Sequence, residues 1–235
     1  MGRGEANKRM TFSGFTNETV PWFDGLALDN SRAYFAAHKD VYERSVRQPL
    51  LDLLTDLSED FGGTVKLFRQ NRDVRFAADK SPYKTNSYGV IHSRPDTAAA
   101  LYVSVSVDGL HAATGYYELA SDQLARYRRC LSEGDAAVAV GNELRAILEH
   151  LRDAGYEVDG SATKGMPRGI AKTAPNADLL RYKSLTAGGY LDGEQMGDAS
   201  AAAWVAGVWR AAMPLNAWLD GRVGESILPP EERWR

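Results

Sequence analysis

The stretch LYVSVSVDGLHAATGYY (residues 101–117) decides the class of fold. From Leu101 to Val107 apolar residues alternate with polar ones, which is the pattern of a β-strand with one buried face. Asp108-Gly109 is a turn dipeptide, and residues 110–117 follow it as the returning strand of a hairpin. We therefore expect an antiparallel sheet.

Further strand and helix patterns flank this hairpin on both sides. Short strand patterns occupy residues 64–69, 87–93, 156–158 and 184–191. Apolar residues at helical spacing predict helices around Val20–Leu26, Tyr34–Tyr42, Leu50–Phe61, Ser121–Ser132 (capped by Ser121 or Asp122), Asp135–Ala154 and Asp198–Leu219, with a further one from about Asn176. The mixture predicts an α+β fold, in which several helices pack on an antiparallel sheet of about five strands connected as a meander with hairpins.

The elements are expected to form one domain. Residues 1–11 carry several charges and, apart from two methionines, no large apolar side chain, so they are predicted to be a disordered leader. Residues 12–228 contain no linker, internal repeat or low-complexity segment, which predicts a single α+β domain. Residues 229–235 are predicted to be a flexible tail.

The composition predicts a soluble protein of the cytoplasm. A chain of 235 residues buries a sizeable core without cross-links, and a single cysteine, Cys130, fits a reducing compartment. The sequence begins without the apolar segment of a signal peptide, and it contains no run that suggests a membrane span. The net charge of −3 and the isoelectric point near 5.9 argue against general binding of nucleic acids.

A second stretch, RQNRDVRFAADKSPYK (residues 69–84), concentrates charge between two predicted strands. From Lys66 to Lys84 there are six basic and two acidic residues, a local excess of four positive charges in a chain of net charge −3. Residues 164–183, KGMPRGIAKTAPNADLLRYK, form a second basic segment with five basic residues and one acidic residue. Two cationic loops in an acidic chain suggest that both border one anion-binding cleft.

The first interpretation of loop 69–84 is a site for a small anionic ligand, such as a phosphate-bearing metabolite or a nucleotide. Arginine forks contact phosphate or carboxylate groups in a bidentate manner. The candidate ligand-binding residues are Arg72, Arg75, Lys80, Tyr83, Lys84, Arg168 and Lys183. Asp73 or Asp79 would orient these cations or, if the ligand is transformed, act as the general base, which makes them the candidate catalytic residues.

The second interpretation is a non-catalytic domain with a structural role or a protein partner. In that case Asp73 and Asp79 pair with the cations and clamp the connection between two strands. Asp73 and Arg75 stand two positions apart on extended chain, so their side chains are expected on the same face. The residues alone leave both interpretations open.

Signals for other chemistry are weak. The spacing of His38, His92, His111 and His150 fits no metal motif, so no metal site is predicted. His92 and His111 lie on predicted neighbouring strands, and one of them is a candidate general base. The sequence contains neither a nucleophile elbow nor a glycine-rich phosphate loop, and Cys130 is expected to be a core thiol. The sequence names no cofactor, protein partner or reaction.

The pattern R-D-x-R-F-x-x-D-K-x-P-Y-K resembles the hallmark of a family of conserved hypothetical proteins called domain of unknown function 2461. The pattern is filled here by Arg72, Asp73, Arg75, Phe76, Asp79, Lys80, Pro82, Tyr83 and Lys84. The resemblance extends from Phe12 through Asn30–Phe35 to Pro167–Gly169 and Leu179–Lys183. It implies a single intracellular α+β domain and brings no established activity.

Two departures from the family pattern bear on function. Ala77 and Ala78 precede Asp79, where the family often has serine and lysine. Ala174 precedes Pro175, where the family often has histidine. If that histidine is catalytic in other members, this chain lacks it, which favours a binding or structural role for the segment.

Overall fold

The computed structural model describes residues 11–229 and 232–233. The predicted disordered leader therefore lies outside the described residues, except for Thr11. Of the predicted flexible tail, only Pro229, Glu232 and Arg233 are described. Within the described ranges, no helix is both long enough and apolar enough to cross a membrane.

The centre of the fold is an open antiparallel sheet of six strands. The strands follow the order β1-β2-β3-β4-β6-β5, so the first four form a meander and β6 inserts between β4 and β5. Their bounds are β1 Thr64–Leu67, β2 Asn86–His92, β3 Ala100–Ser106, β4 Gly109–Tyr116, β5 Glu157–Asp159 and β6 Leu185–Leu191. The predictions of an α+β fold and an antiparallel sheet are confirmed.

Helices precede the meander and follow it. Before β1 lie α1 Thr19–Leu28, α2 Arg32–Ala37, α3 Lys39–Tyr42 and α4 Gln48–Phe61, with a π-helical segment Glu43–Arg47 between α3 and α4. After β4 lie α5 Ser121–Ser132, α6 Ala137–Asp153, α7 Ser200–Ala211 and α8 Met213–Arg222. The glycine pair after Phe61 ends α4 as expected, because Gly62 adopts φ 69°.

The single long helix predicted over residues 198–219 is wrong. The chain forms two helices, α7 and α8, that meet at Ala212. Pro214 lies in the first turn of α8, where its missing N–H leaves no hydrogen bond unmade. In the interior of one continuous helix the same proline would remove a hydrogen bond and clash with the preceding turn.

Two local predictions near α5 are also wrong. Ala120, not Ser121 or Asp122, is the N-cap of α5, and its N–H donates to Oε1 of Gln123 at 3.0 Å. The helix predicted from Asn176 is only a 3₁₀ turn, Leu179–Arg181. Asn176 has φ 59°, a left-handed conformation that is incompatible with a helix interior.

The residues group into two compact units. The first comprises the described part of Met1–Val90 with Val103–His111 and Tyr190–Ala206. The second comprises Ile91–Tyr102, Ala112–Gly189 and the described part of Gly207–Arg235. The single domain over residues 12–228 stays a prediction.

The core of the first unit is rich in aromatic residues from α1 to α4. Trp22 and Phe23 are 3% and 2% exposed, and their rings meet edge to face with centroids 5.0 Å apart. Leu50, Leu53 and Leu54 of α4 are fully buried. This packing fixes the helices that precede β1, and those helices in turn support the charged loop.

The core of the second unit is mainly aliphatic. Leu144, Leu148 and Leu151 bury one face of α6, and Tyr127 of α5 is fully buried with its hydroxyl donating to Leu179 O at 3.0 Å. Asn176 is 8% exposed, and its Nδ2 donates to the carbonyl oxygens that end α5 and begin α6. A buried amide with these partners stabilises the turn between the two helices.

Candidate functional site

The charged loop is the end of the β1–β2 hairpin. Past the regular strands the pairing continues, because the N–H of Arg72 donates to Pro82 O at 2.8 Å. Asn71 and Tyr83 face each other as an antiparallel pair. Residues 73–81 therefore form the tip of the hairpin. Of the cations predicted to bind a ligand, Arg75 and Lys80 lie within this tip, and Arg72 and Lys84 flank it.

Tyr83 is held from outside the hairpin by Asn30. The N–H and C=O of Tyr83 point away from Asn71, since these two residues form a non-hydrogen-bonded pair. Nδ2 of Asn30 donates to Tyr83 O at 3.1 Å, and the N–H of Tyr83 donates to Oδ1 of Asn30 at 3.0 Å. The Tyr83 ring is buried against Phe35, with centroids 4.2 Å apart. Tyr83 thus positions the loop, and its direct contact with a ligand stays a prediction.

Gln70 fixes the other side of the hairpin base. This residue is only 4% exposed, and its Nε2 donates to Lys84 O at 2.5 Å and to Asn86 O at 3.1 Å. Oγ of Ser87 donates to Oε1 of Gln70 at 2.5 Å. Every polar group of the buried amide side chain is used, so the base of the hairpin is ordered by neutral hydrogen bonds.

Two ion pairs lie within the loop. Arg75 binds Asp73 with two parallel bonds, Nε to Oδ1 at 3.0 Å and Nη2 to Oδ2 at 2.6 Å. Arg72 pairs with Asp79. The side chains of Arg75 and Asp73 are 77% and 49% exposed, and exposed pairs of this kind add little to stability. Asp73 and Arg75 are in contact as expected, but through a turn rather than along extended chain, since the N–H of Arg75 also donates to Oδ1 of Asp73 at 3.2 Å.

The other cations of the loop have backbone or aromatic partners. Nζ of Lys80 donates to Val74 O at 3.0 Å. Nζ of Lys84 donates to Arg69 O at 2.6 Å and lies 4.7 Å from the centroid of the Tyr88 ring. The cations that pair with no carboxylate among the described residues are Lys66, Arg69, Lys80 and Lys84.

Both aspartates of the loop are held as carboxylates. Hydrogen bonds from Arg75 lower the pKa of Asp73. Hydrogen bonds from Ser81, together with the bond from Arg72, lower the pKa of Asp79 well below its usual range. A carboxylate of low pKa takes up a proton poorly at neutral pH, so these residues are suited to orient cations rather than to act as bases.

Lys84 is in the opposite situation, since it pairs with no carboxylate in the part of the chain that the structure describes. Partial burial, and then the neighbouring charge of Arg69, lower the pKa of the Lys84 ammonium. Two cations side by side repel each other, and an anion placed between them would remove that repulsion. Arg69 and Lys84 are therefore a candidate position for a negative ligand.

Arg168 and Lys183 belong to the second unit. The N–H of Lys183 donates to Ser161 O at 2.7 Å, and its carbonyl accepts from Leu119, so its backbone is well anchored. The predicted sharing of one site between these two residues and loop 69–84 stays a prediction.

The other titratable residues considered for a chemical role lie outside loop 69–84. His92 lies 2.8 Å from Oγ of Ser93 through its Nδ1, and His111 stacks on Tyr190 with centroids 4.3 Å apart. Burial raises the pKa of the Cys130 thiol, which makes it less reactive at neutral pH. Within the described ranges, no three His, Cys, Asp or Glu residues are grouped so that they could hold a metal ion.

Sequence reasoning missed three residues that shape the site. Asn30 and Gln70 were not predicted because a polar residue that binds distant backbone leaves no periodic signal. Phe76, at the hairpin tip, is 96% exposed, and the pattern gave no reason to expect an aromatic ring in solvent. The one available signal was the resemblance, since Asn30 and Phe76 both lie in the stretches that carry it.

The fold and the site define an α+β protein in which an ordered cationic hairpin extends from one end of an antiparallel meander. A family model described as "Conserved hypothetical protein (DUF2461)" matches residues 18–218, and the chain belongs to this family. The resemblance seen in the sequence is confirmed. No curated protein matches the chain.

Proposed function

We propose that this protein binds a small anionic, phosphate-bearing ligand at the hairpin loop 69–84. One observation carries the proposal. Asp73 and Asp79 are both bound by arginines, whereas Lys66, Arg69, Lys80 and Lys84 form no ion pair with a carboxylate among the described residues. Arg69 acts on Asp73 through its charge without pairing with it. Residues 66–84 thus carry an excess of positive charge within an acidic chain, and such an excess attracts a compact anion.

The arginine pairs do not block such a ligand. Asp73 and Asp79 are exposed, and the ion pairs they form with Arg75 and Arg72 contribute little to stability. A phosphate group can accept two parallel hydrogen bonds from an arginine guanidinium group, as a carboxylate does. Binding is therefore an exchange, in which the ligand replaces an internal carboxylate on one or both arginines.

The proposal is one of binding rather than of catalysis. The lowered pKa values of Asp73 and Asp79 make them weak bases, and no metal or cofactor chemistry is needed to hold an anion by cations. A cytoplasmic location belongs to the same proposal, and it rests on the single cysteine of the chain.

Thermal denaturation in the presence of pyrophosphate tests the proposal. A ligand present at 100 times its dissociation constant adds about 2.7 kcal/mol to the free energy of unfolding. For a chain of this size we expect the melting temperature to rise by roughly 5–10 °C. The double variant Arg69→Ala, Lys84→Met should lose most of this rise, because it removes the cationic pair. It also removes the bond from Lys84 Nζ to Arg69 O but keeps the Gln70 and Asn30 bonds of the hairpin base, so the response is compared with the melting temperature of the ligand-free variant.

Lys39→Met is the matched control. Lys39 is an exposed lysine of α3 in the same unit, far along the chain from the loop. It should keep the full response to pyrophosphate. If the double variant responds as strongly as the wild type, or if inorganic phosphate, pyrophosphate and citrate all leave the wild type unchanged, the proposal is wrong.

A second candidate function is a structural or protein-interaction domain. The observation in its favour is that Arg72 and Arg75 are already paired with Asp79 and Asp73 inside the loop. This candidate predicts that no small anion stabilises the wild type. It also predicts that removing Arg75 lowers the melting temperature markedly, whereas the ligand proposal predicts a small effect.

A further inference from the structure

Phe76 differs from every other phenylalanine of the chain. The side chains of the other six are buried or partly buried, whereas Phe76 is 96% exposed at the tip of the hairpin. The base of the hairpin that carries this ring is fixed by Asn30 and Gln70. A fully exposed aromatic ring offers a flat apolar surface to a ligand.

The ring of Phe76 lies among the cations of the tip. The guanidinium carbon of Arg75 is 6.0 Å from its centroid. The ammonium group of Lys80 is held nearby, at the carbonyl of Val74, one residue before Arg75. An aromatic face and two cations therefore share one short segment of backbone.

This combination matches a particular ligand chemistry. Nucleic-acid bases stack on aromatic side chains whatever their identity, while Lys and Arg bind the phosphates. A nucleotide joins a flat base to a phosphate through a single sugar, so it can contact a ring and neighbouring cations at the same time. A phosphate without a base uses only the cations.

We infer that the ligand of the hairpin loop is a nucleotide, whose base stacks on Phe76 and whose phosphate binds the loop cations. This inference rests on the proposed function. The free nucleotide is favoured over a nucleic-acid strand. A strand needs an extended basic track, and outside residues 66–84 the chain is more acidic than its net charge of −3 indicates.

The test compares adenosine monophosphate with ribose 5-phosphate by isothermal titration calorimetry. The two probes carry the same phosphate and sugar and differ only in the base. The wild type should bind the nucleotide about 5- to 150-fold more tightly, the range that corresponds to stacking of one base on an aromatic ring. Uridine monophosphate should bind within a few-fold of adenosine monophosphate, because stacking tolerates any base.

Phe76→Ala should abolish the preference for the nucleotide and leave the affinity for ribose 5-phosphate unchanged. Phe76→Tyr should retain the preference. Leu28→Ala is the matched control, since Leu28 is 91% exposed in the same unit and is followed by Asp29 rather than flanked by cations. None of these substitutions should change the melting temperature of the ligand-free protein appreciably, because Phe76 and Leu28 are both exposed.

The outcomes separate this inference from the proposed function. If both probes bind the wild type equally, or if Phe76→Ala keeps the preference, the inference is wrong and the anion site stands. If neither probe nor pyrophosphate binds, the proposed function fails and the inference fails with it. If a ten-residue oligoadenylate binds far more tightly than the mononucleotide, the ligand is a strand and the inference is overturned.

Discussion

Replacing Asn30 by alanine should destabilise the hairpin through the backbone of Tyr83. The Asn30 amide makes two hydrogen bonds to that backbone, at 3.1 Å and 3.0 Å. Asn30→Ala leaves the N–H and the C=O of Tyr83 without a protein partner. Unpaired buried groups cost about 1–3 kcal/mol each, and since both contacts are only part-buried we take about 1 kcal/mol for each.

The expected loss is therefore about 2 kcal/mol in the free energy of unfolding. For a chain of this length this corresponds to a fall of roughly 4–8 °C in the melting temperature. Asn30→Asp keeps the acceptor for the N–H of Tyr83 and loses the donor to its C=O, so it should lose about 1 kcal/mol. Urea denaturation measures both values, and amide hydrogen exchange at Tyr83 shows whether the opening is local.

Asn17→Ala is the control, because Asn17 is an exposed asparagine of the same unit. It should stay within about 0.5 kcal/mol of the wild type. If Asn30→Ala costs no more than this control, the two bonds to Tyr83 do not hold the hairpin. If Asn30→Asp costs as much as Asn30→Ala, the donated bond to the carbonyl accounts for the whole effect and the reasoning of two additive bonds is wrong.

Four further substitutions test the site and its supporting structure. Asp73→Asn removes the carboxylate that pairs with the Arg75 guanidinium group, so the affinity for pyrophosphate measured by calorimetry should rise roughly two- to fivefold. A fall in affinity would contradict the proposal that the ligand replaces an internal carboxylate on an arginine. Burial disfavours the charged form of Asp122, but hydrogen bonds from its neighbours outweigh this effect and lower the pKa of Asp122 to about 2. The carboxylate therefore stabilises the fold above about pH 4, and this stabilisation is lost as the pH falls towards 2. Asp122→Asn should hence lower the melting temperature at pH 7 more than at pH 3, and an equal effect at both would refute the assignment. Gly207→Ala, in open space within α7, should stabilise by about 0.5–1 kcal/mol, whereas Gly141→Ala in α6 should destabilise because its Cβ would overlap the side chain of Asn176.

The sequence predicts the sheet well where the pattern is local. The alternation from Leu101 to Val107 and the turn at Asp108-Gly109 depend on neighbouring residues only, and β3 and β4 lie where these signals place them. The end of α4 at Gly62 is likewise a local matter of backbone conformation. Pro214 is a local signal of the same kind, because a proline near the middle of an apolar helical pattern favours a break there, whereas the apolar spacing by itself predicts one long helix.

The supports of the site depend on distant residues and could not be predicted in this way. Asn30 and Tyr83 are 53 positions apart, and their pairing requires that the N–H and C=O of Tyr83 point out of the hairpin. Gln70 is a buried polar residue next to a run of exposed charges, so composition suggested an exposed position. The charged stretch is visible in the sequence, whereas the pairing of particular cations with carboxylates depends on the folded hairpin.

The structure separates what orders the loop from what the loop offers a ligand. Its order comes from neutral contacts at the base, namely the Asn30 and Gln70 amides and the Tyr83–Phe35 stack. Its charges lie at the exposed tip and along the edges, where ion pairs add little to stability. Substitutions at the tip should thus change binding with little change in stability, whereas substitutions at the base should change both. A loop that was only an electrostatic clamp would show the reverse, because its stability would follow Arg72 and Arg75 rather than Asn30.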